Sequence, residues 1–111
     1  SIRRIGANQP VMYLSGGNQQ KVVIAKWLAQ KPKLVIFDEP TRGVDVGVKA
    51  YIYFLMKEAK NNGVATILIS DELTEVLGMS DRLIVMKDGA VADVIRRDED
   101  FTEQSVIRVM I

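Results

Sequence analysis

The sequence lacks both cysteine and histidine among its 111 residues. The absence of cysteine excludes disulfide frameworks and thiolate metal sites and is compatible with a reducing cytosol. The absence of histidine excludes His-based catalytic triads, imidazole general bases and the usual zinc sites. No apolar run approaches the roughly 20 residues that a membrane-spanning helix needs, and the opening SIRRIGANQP is too polar for a secretory signal. Any membrane role is therefore predicted to be peripheral.

Strong charge of either sign is also missing. The sequence contains fifteen basic and fourteen acidic residues, which gives a formal net charge of +1. Nothing in this balance argues for nucleic acid or for an anionic membrane surface as a partner. The length fits one domain or a piece of one, and the 48% hydrophobic content suffices for a modest core.

The order of predicted elements is typical of an α/β fold. Two short apolar runs, 34–37 and 64–69, are expected to be strands buried on both faces. Asp88-Gly89 between two apolar runs predicts a hairpin over 83–95. With helices between the strands, the pattern predicts parallel central strands and a closing antiparallel hairpin. Residues 1–13 are expected to be irregular, and helices are predicted at 18–30, at 45–61, from a cap at Ser70 or Asp71 to near Gly78, and after Thr102.

Two adjacent carboxylates end the first apolar run, in the sequence LVIFDEPTRGVD. Asp38 and Glu39 would lie at the carboxyl end of a parallel strand, where ligands of open α/β sheets bind. One interpretation is a strand that simply ends in solvent. The other is a site in which one carboxylate holds Mg²⁺ and its neighbour polarises a water. Pro40 is expected to hold Glu39 in an extended conformation.

A second motif, LSGGNQQK, precedes the first predicted helix. Ser15, Gly16 and Gly17 would expose backbone N–H groups at the positive end of the helix dipole, an arrangement that suits a phosphate. Taken alone, the motif is equally compatible with a flexible turn whose serine caps the helix.

In combination, LSGGNQQK followed about 20 residues later by LVIFDEPTRGVD resembles the ATP-binding-cassette (ABC) ATPases. In that family a signature loop precedes a Walker B strand. The likeness continues through TILISDELTEV and SDRLIVMKDGAV to about residue 95. It is greatest to the second, C-terminal cassette of the tandem ATPases of bacterial monosaccharide importers (ribose, arabinose, xylose, galactose and autoinducer-2 type). The resemblance implies the C-terminal portion of a P-loop NTPase fold.

The resemblance also implies roles for residues of both motifs. Ser15, Gly16 and Gly17 would contact the γ-phosphate of an ATP held mainly by the opposite cassette. Asp38 would hold Mg²⁺, usually through water. Glu39 would be the general base that aligns the attacking water. The implied cofactors are ATP and Mg²⁺.

Two further positions follow from the same likeness. Asp45, with Gly43 and Val44, matches the loop that contacts the other cassette across the dimer. Asp71 stands where family members carry a histidine that touches the γ-phosphate. A carboxylate there would repel the phosphate, because two like charges 4 Å apart cost about 4 kcal/mol even at an effective dielectric constant of 20. The expected half-site therefore has reduced competence for hydrolysis.

The phosphate-binding loop G-x-x-x-x-G-K-[ST] of this family is absent from the sequence. Residues 1–111 are therefore expected to be a partial nucleotide-binding domain with signature, Walker B, D-loop and switch region but no Walker A, inactive by itself. Its expected partners are a second cassette and a membrane permease, with no nucleic acid, at the cytoplasmic face of the cell membrane. A sheet edge left without its neighbouring strand predicts self-association.

Two alternative functions remain open at the level of sequence. One is the C-terminal half of an SMC-type chromosome-maintenance or DNA-repair ATPase, which would require upstream coiled coil and a basic DNA-facing surface. The other is a non-enzymatic module that docks onto a partner cassette. Arg42 lies beside the predicted dimer loop, and it is equally well interpreted as an interface contact or as an ordinary surface arginine.

Overall fold

The computed structural model describes residues 2–4, 10–15 and 21–111, with side chains from residue 24 onward except that of residue 27. The chain divides into two compact units, Ser1–Ser70 and Asp71–Ile111. None of the helices in the described part of the chain has the length and apolar character needed to cross a bilayer.

A four-stranded sheet organises the first unit, with the order β1-β2-β3-β4. Strand β1 is antiparallel to β2, whereas β2, β3 and β4 run parallel. The parallel central strands are therefore confirmed. The prediction that residues 1–13 are irregular is wrong for β1 and β2, because the apolar run after Pro10 pairs along β3 and the proline occupies the first position of its strand, where no ladder hydrogen bond is lost. The strands are β1 (Ile2–Arg4), β2 (Pro10–Ser15), β3 (Leu34–Asp38) and β4 (Ala65–Ile69).

Burial of the parallel strands differs from the prediction. In β3, Val35 and Phe37 are completely buried, but the alternate residues are half-buried, so only one face is fully covered. In β4 most side chains are exposed, including Ile67 at 47% and Ile69 at 45%. The prediction of a second buried strand is therefore wrong, because β4 is the last strand in the order of the described sheet.

Two helices complete the first unit, α1 (Lys21–Leu28) and α2 (Val46–Asn61). Helix α1 ends earlier than predicted, and residues 18–20 lie outside the described part of the chain. Helix α2 ends at Asn61, as predicted, and begins one residue later than predicted, and Gly63 follows its end at φ +81°, a conformation that favours glycine. Tyr51 of this helix is 38% exposed. The buried residues of α2 are Ile52, Leu55, Met56 and Ala59.

The second unit contains a hairpin between two short helices. Its elements are α3 (Leu73–Met79), β5 (Arg82–Lys87), β6 (Ala90–Arg96) and α4 (Glu103–Met110). The predicted hairpin turn is confirmed, with Asp88 at φ +54° and Gly89 at φ +79°, as a type I′ turn requires. However, β5 and β6 form a separate two-stranded sheet instead of an edge of the parallel sheet.

Caps and one arginine fix the helices of this unit. Thr102 caps α4 as predicted and forms a capping box with Ser105. The N-cap of α3 is Glu72, so the predicted cap at Ser70 or Asp71 is wrong. Arg97 donates hydrogen bonds to the carbonyl oxygens of Leu77 and Ser80 at the end of α3. These cationic donors satisfy terminal carbonyls and oppose the negative end of the helix dipole.

Candidate nucleotide-hydrolysis site

The carboxyl ends of three parallel strands meet at one edge of the sheet in the first unit. Ser15 is the register partner of Asp38 across β2 and β3, and Asp38 is the partner of Ile69 across β3 and β4. Sequence-distant positions are thus brought into one row by parallel pairing. This edge is where an open α/β sheet binds its ligand, so the structure places Asp38 at the position expected for a site residue.

Glu39 opens a tight turn directly after β3. Its backbone N–H donates a 2.8 Å hydrogen bond to the carbonyl oxygen of Ile69, which ties the start of the turn to β4. Its carbonyl oxygen accepts a 3.2 Å hydrogen bond from the N–H of Arg42, which closes the turn across Pro40 and Thr41. Both intervening residues are buried. The turn is therefore held from both ends by the backbone.

The backbone of Glu39 differs from the prediction. Its φ is +49°, in the left-handed region, instead of the extended conformation expected before Pro40. A non-glycine residue in this region carries strain of about 1–3 kcal/mol and persists only where its surroundings enforce it. Here the bond to Ile69 and the closed turn override the local preference of a residue that precedes proline. The side chain of Glu39 is 20% exposed.

Arg42 ends this turn and forms an ion pair with the residue that begins it. Its Nη2 lies 3.4 Å from Oε1 of Glu39, and the arginine side chain is 62% exposed. This ion pair was not predicted from the sequence. The only sequence signal was the Glu-x-x-Arg spacing, which brings the two side chains together once a turn closes between them.

A second turn follows and leads into α2. The N–H of Val44 donates a 3.3 Å hydrogen bond to the carbonyl oxygen of Thr41, and Gly43 adopts φ +74°, which a turn of type II demands at its third position. Asp45 then caps α2, with Oδ1 accepting a 2.9 Å bond from the N–H of Val48. The carboxylate of Asp45 thus has a structural role in capping, while its predicted contact with a second cassette stays a prediction.

The remaining predicted site residues are described only in part. Ser15 is placed by its backbone at the end of β2, and Gly16 and Gly17 lie outside the described residues. Asp71 belongs to the second unit, two positions after the end of β4 in the sequence. The predicted contacts of these residues with a nucleotide stay predictions.

The available donors fit one kind of metal site. Among the described residues no group of three acidic, histidine or cysteine side chains is clustered to hold a metal. Magnesium in nucleotide sites takes one or two carboxylates and completes its shell with phosphate oxygens and water. A single carboxylate at the strand end, Asp38, suits this mode and does not suit an all-protein cage.

A sequence profile of the family described as ABC transporter matches residues 2–42, which include the first motif, the second motif as far as Arg42 and the turn that follows β3. The solved structure of an ATP-binding cassette of an ABC transporter is 30% identical, with a TM-score of 0.64, and covers 82% of this chain and 38% of that one. The chain belongs to the ATP-binding-cassette family. Its fold is accordingly that of a P-loop NTPase portion, as predicted.

Two further comparisons refine the family assignment. The ribose import ATP-binding protein of Shouchella clausii is 53% identical over 106 residues, which are 96% of this chain and 21% of that protein. The dimeric structure of a post-hydrolysis state of an ATP-binding cassette, bound to ADP and Pi, matches 68% of this chain and 33% of that one with 26% identity and a TM-score of 0.59. The ABC chain spans about one fifth of the length of the curated relatives that it matches.

Proposed function

We propose that this ABC chain is part of the ATP-hydrolysing subunit of a bacterial sugar importer. The observation that carries the proposal is the row of strand ends at which Asp38 ends β3 and Glu39 follows it. The 53% identity to a protein named for ribose import supports the sugar-importer assignment. The chain would supply signature and Walker B elements to a nucleotide bound between two cassettes.

The proposed chemistry assigns one task to each carboxylate. Asp38 would hold Mg²⁺, which when bound neutralises phosphate charge during hydrolysis. Glu39 would accept a hydrogen bond from the attacking water and orient it, since a carboxylate next to the reacting water acts as a general base. The N–H groups of Gly16 and Gly17, with Ser15, would bind the γ-phosphate of the opposite nucleotide.

The proposed partners follow from the same family assignment. A second cassette would complete the nucleotide site, and a membrane permease would receive the motion that closure and reopening produce. The chain would then act in the cytoplasm, bound to the inner face of the membrane through that permease. Asp71 would limit hydrolysis at this half-site by repelling the γ-phosphate.

A chimera tests the proposed activity. The segment of the Shouchella clausii protein that aligns with this chain is replaced by residues 1–111, and hydrolysis of Mg-ATP is measured with and without DNA. We expect the chimera to keep at least about a tenth of the parent's kcat, because a tenfold loss corresponds to only about 1.4 kcal/mol in the barrier. We also expect DNA to leave the rate unchanged, given the net charge of +1.

Two other results would contradict the proposal. A folded chimera that binds Mg-ATP but does not hydrolyse it would favour the non-enzymatic docking module. Stimulation by DNA at low salt, lost as salt rises, would favour the SMC-type alternative.

We further propose that the isolated chain self-associates through β4. The support is the exposed apolar surface of this strand at the end of the described sheet order, since uncovered apolar edge strands pair with other chains. Sedimentation equilibrium is expected to show association at micromolar concentration. Ile67→Lys should raise the dissociation constant at least about tenfold, because pairing would then bury a charge.

Val46→Lys provides the matched control for this experiment. Val46 is 84% exposed on α2, so the same charge placed there should leave association unchanged. A chain that stays monomeric at high concentration, or equal effects of the two lysines, would contradict pairing through β4.

A further inference from the structure

The turn that carries Glu39 contains a second charged residue whose position is fixed by the same backbone. Arg42 N–H closes the turn on the carbonyl oxygen of Glu39, and Arg42 Nη2 reaches Oε1 of the same glutamate at 3.4 Å. Both ends of one side-chain pair are therefore anchored by a single buried turn. Because one turn fixes both backbones, forming the ion pair costs mainly the side-chain entropy of its two partners.

The backbone of Glu39 is itself held in place, so the ion pair acts on a side chain whose starting point is fixed. At φ +49° the residue is strained, and its N–H is bonded to the carbonyl oxygen of Ile69 at 2.8 Å. These bonds fix the backbone of Glu39 but do not involve its side chain. The guanidinium of Arg42 forms an ion pair with that carboxylate. The ion pair thus restricts the remaining freedom of the glutamate side chain.

We propose that Arg42 is a positioning residue for Glu39: the ion pair holds the carboxylate in the orientation in which it aligns the attacking water. This inference rests on the proposed function, in which Glu39 is the general base. The contact is made by Arg42 Nη2 to Oε1 of this carboxylate. A general base must lie within hydrogen-bond reach of the water it activates, and small misplacements of such a group are costly.

The test is a double-mutant cycle in the chimera described above, with its other half-site inactivated so that kcat reports hydrolysis at the half-site of Glu39. Arg42→Ala is expected to lower kcat for Mg-ATP by about three- to tenfold and to leave KM within about twofold, because a partly exposed ion pair is weak and no nucleotide contact is removed. Arg42→Lys should recover part of kcat, since lysine keeps the charge but loses the planar fork. In the Glu39→Gln background, Arg42→Ala should cause no further loss.

Arg108→Ala is the control, since Arg108 is an exposed arginine on α4, and it should leave kcat unchanged. An unchanged kcat in Arg42→Ala, a rise in kcat, or a full additional loss in the Glu39→Gln background would overturn the positioning role. If Glu39→Gln itself leaves kcat intact, the proposed general base is wrong. The cycle therefore separates failure of the inference from failure of the proposed function.

Discussion

Replacing Glu39 by glutamine, in a chimera whose other half-site has been inactivated, is expected to lower kcat for Mg-ATP by about 100-fold or more, in line with the 10²–10⁴-fold contribution of a positioned general base. The amide is nearly isosteric with the carboxylate but cannot accept a proton. The turn should survive, since its hydrogen bonds at both ends use only the backbone of residue 39. Affinity for Mg-ATP should therefore stay within about twofold of the unmodified chimera.

Glu58→Gln is the matched control for this substitution. Glu58 is exposed on α2, outside the row of strand ends, and its replacement should leave kcat unchanged. A loss of twofold or less in Glu39→Gln would show that hydrolysis proceeds without this carboxylate. Glu39 would then have only a structural role in the turn.

Replacing Phe37 by alanine is expected to lower the free energy of unfolding of the first unit by about 3–5 kcal/mol. Phe37 is completely buried on the covered face of β3, next to the strand end that carries Asp38. The cost combines the lost transfer free energy of the ring with the cavity that remains. Because small domains are stable by only about 5–15 kcal/mol, urea denaturation followed by circular dichroism should register a large shift.

Phe54→Ala makes the same chemical change on the surface of α2, where Phe54 is 54% exposed and its ring lies 6.0 Å from that of Tyr51. We expect a loss of about 1 kcal/mol or less there. If Phe37→Ala prevents folding, the Phe37→Leu variant should still unfold cooperatively, with a smaller decrease in the free energy of unfolding. Equal costs for alanine at the two positions would contradict the core assignment of Phe37.

Local sequence signals were sufficient to predict the structure wherever a few neighbouring residues determine the backbone conformation. Helix α2 ends at Asn61, as predicted, and begins one residue later than predicted, after its Asp45 cap. The Asp88-Gly89 turn and the Thr102 cap were likewise predicted from side-chain chemistry that acts over two or three residues. The motifs also sufficed to predict the ABC family, which the comparisons confirm.

Predictions failed where distant segments decide the outcome. The apolar run of β4 gave no indication that its strand would be exposed, because burial depends on which strand pairs beside it. The turn residues predicted the hairpin, but they gave no indication that β5 and β6 would form a separate two-stranded sheet. The left-handed backbone of Glu39 was missed because a bond from a residue 30 positions away, Ile69, overrides the preference that Pro40 imposes.

The sequence by itself determined the family, the order of strands and helices from α1 onward, and which carboxylates follow the first apolar run of the sheet, since all of these depend on residue types at short spacings. Only the tertiary structure decided that Ser15, Asp38 and Ile69 share one sheet edge and that Arg42 pairs with Glu39. Parallel pairing joins strands that are far apart in the chain, and their register is set by packing of whole segments. The geometry of the site therefore arises from long-range contacts that no short pattern specifies.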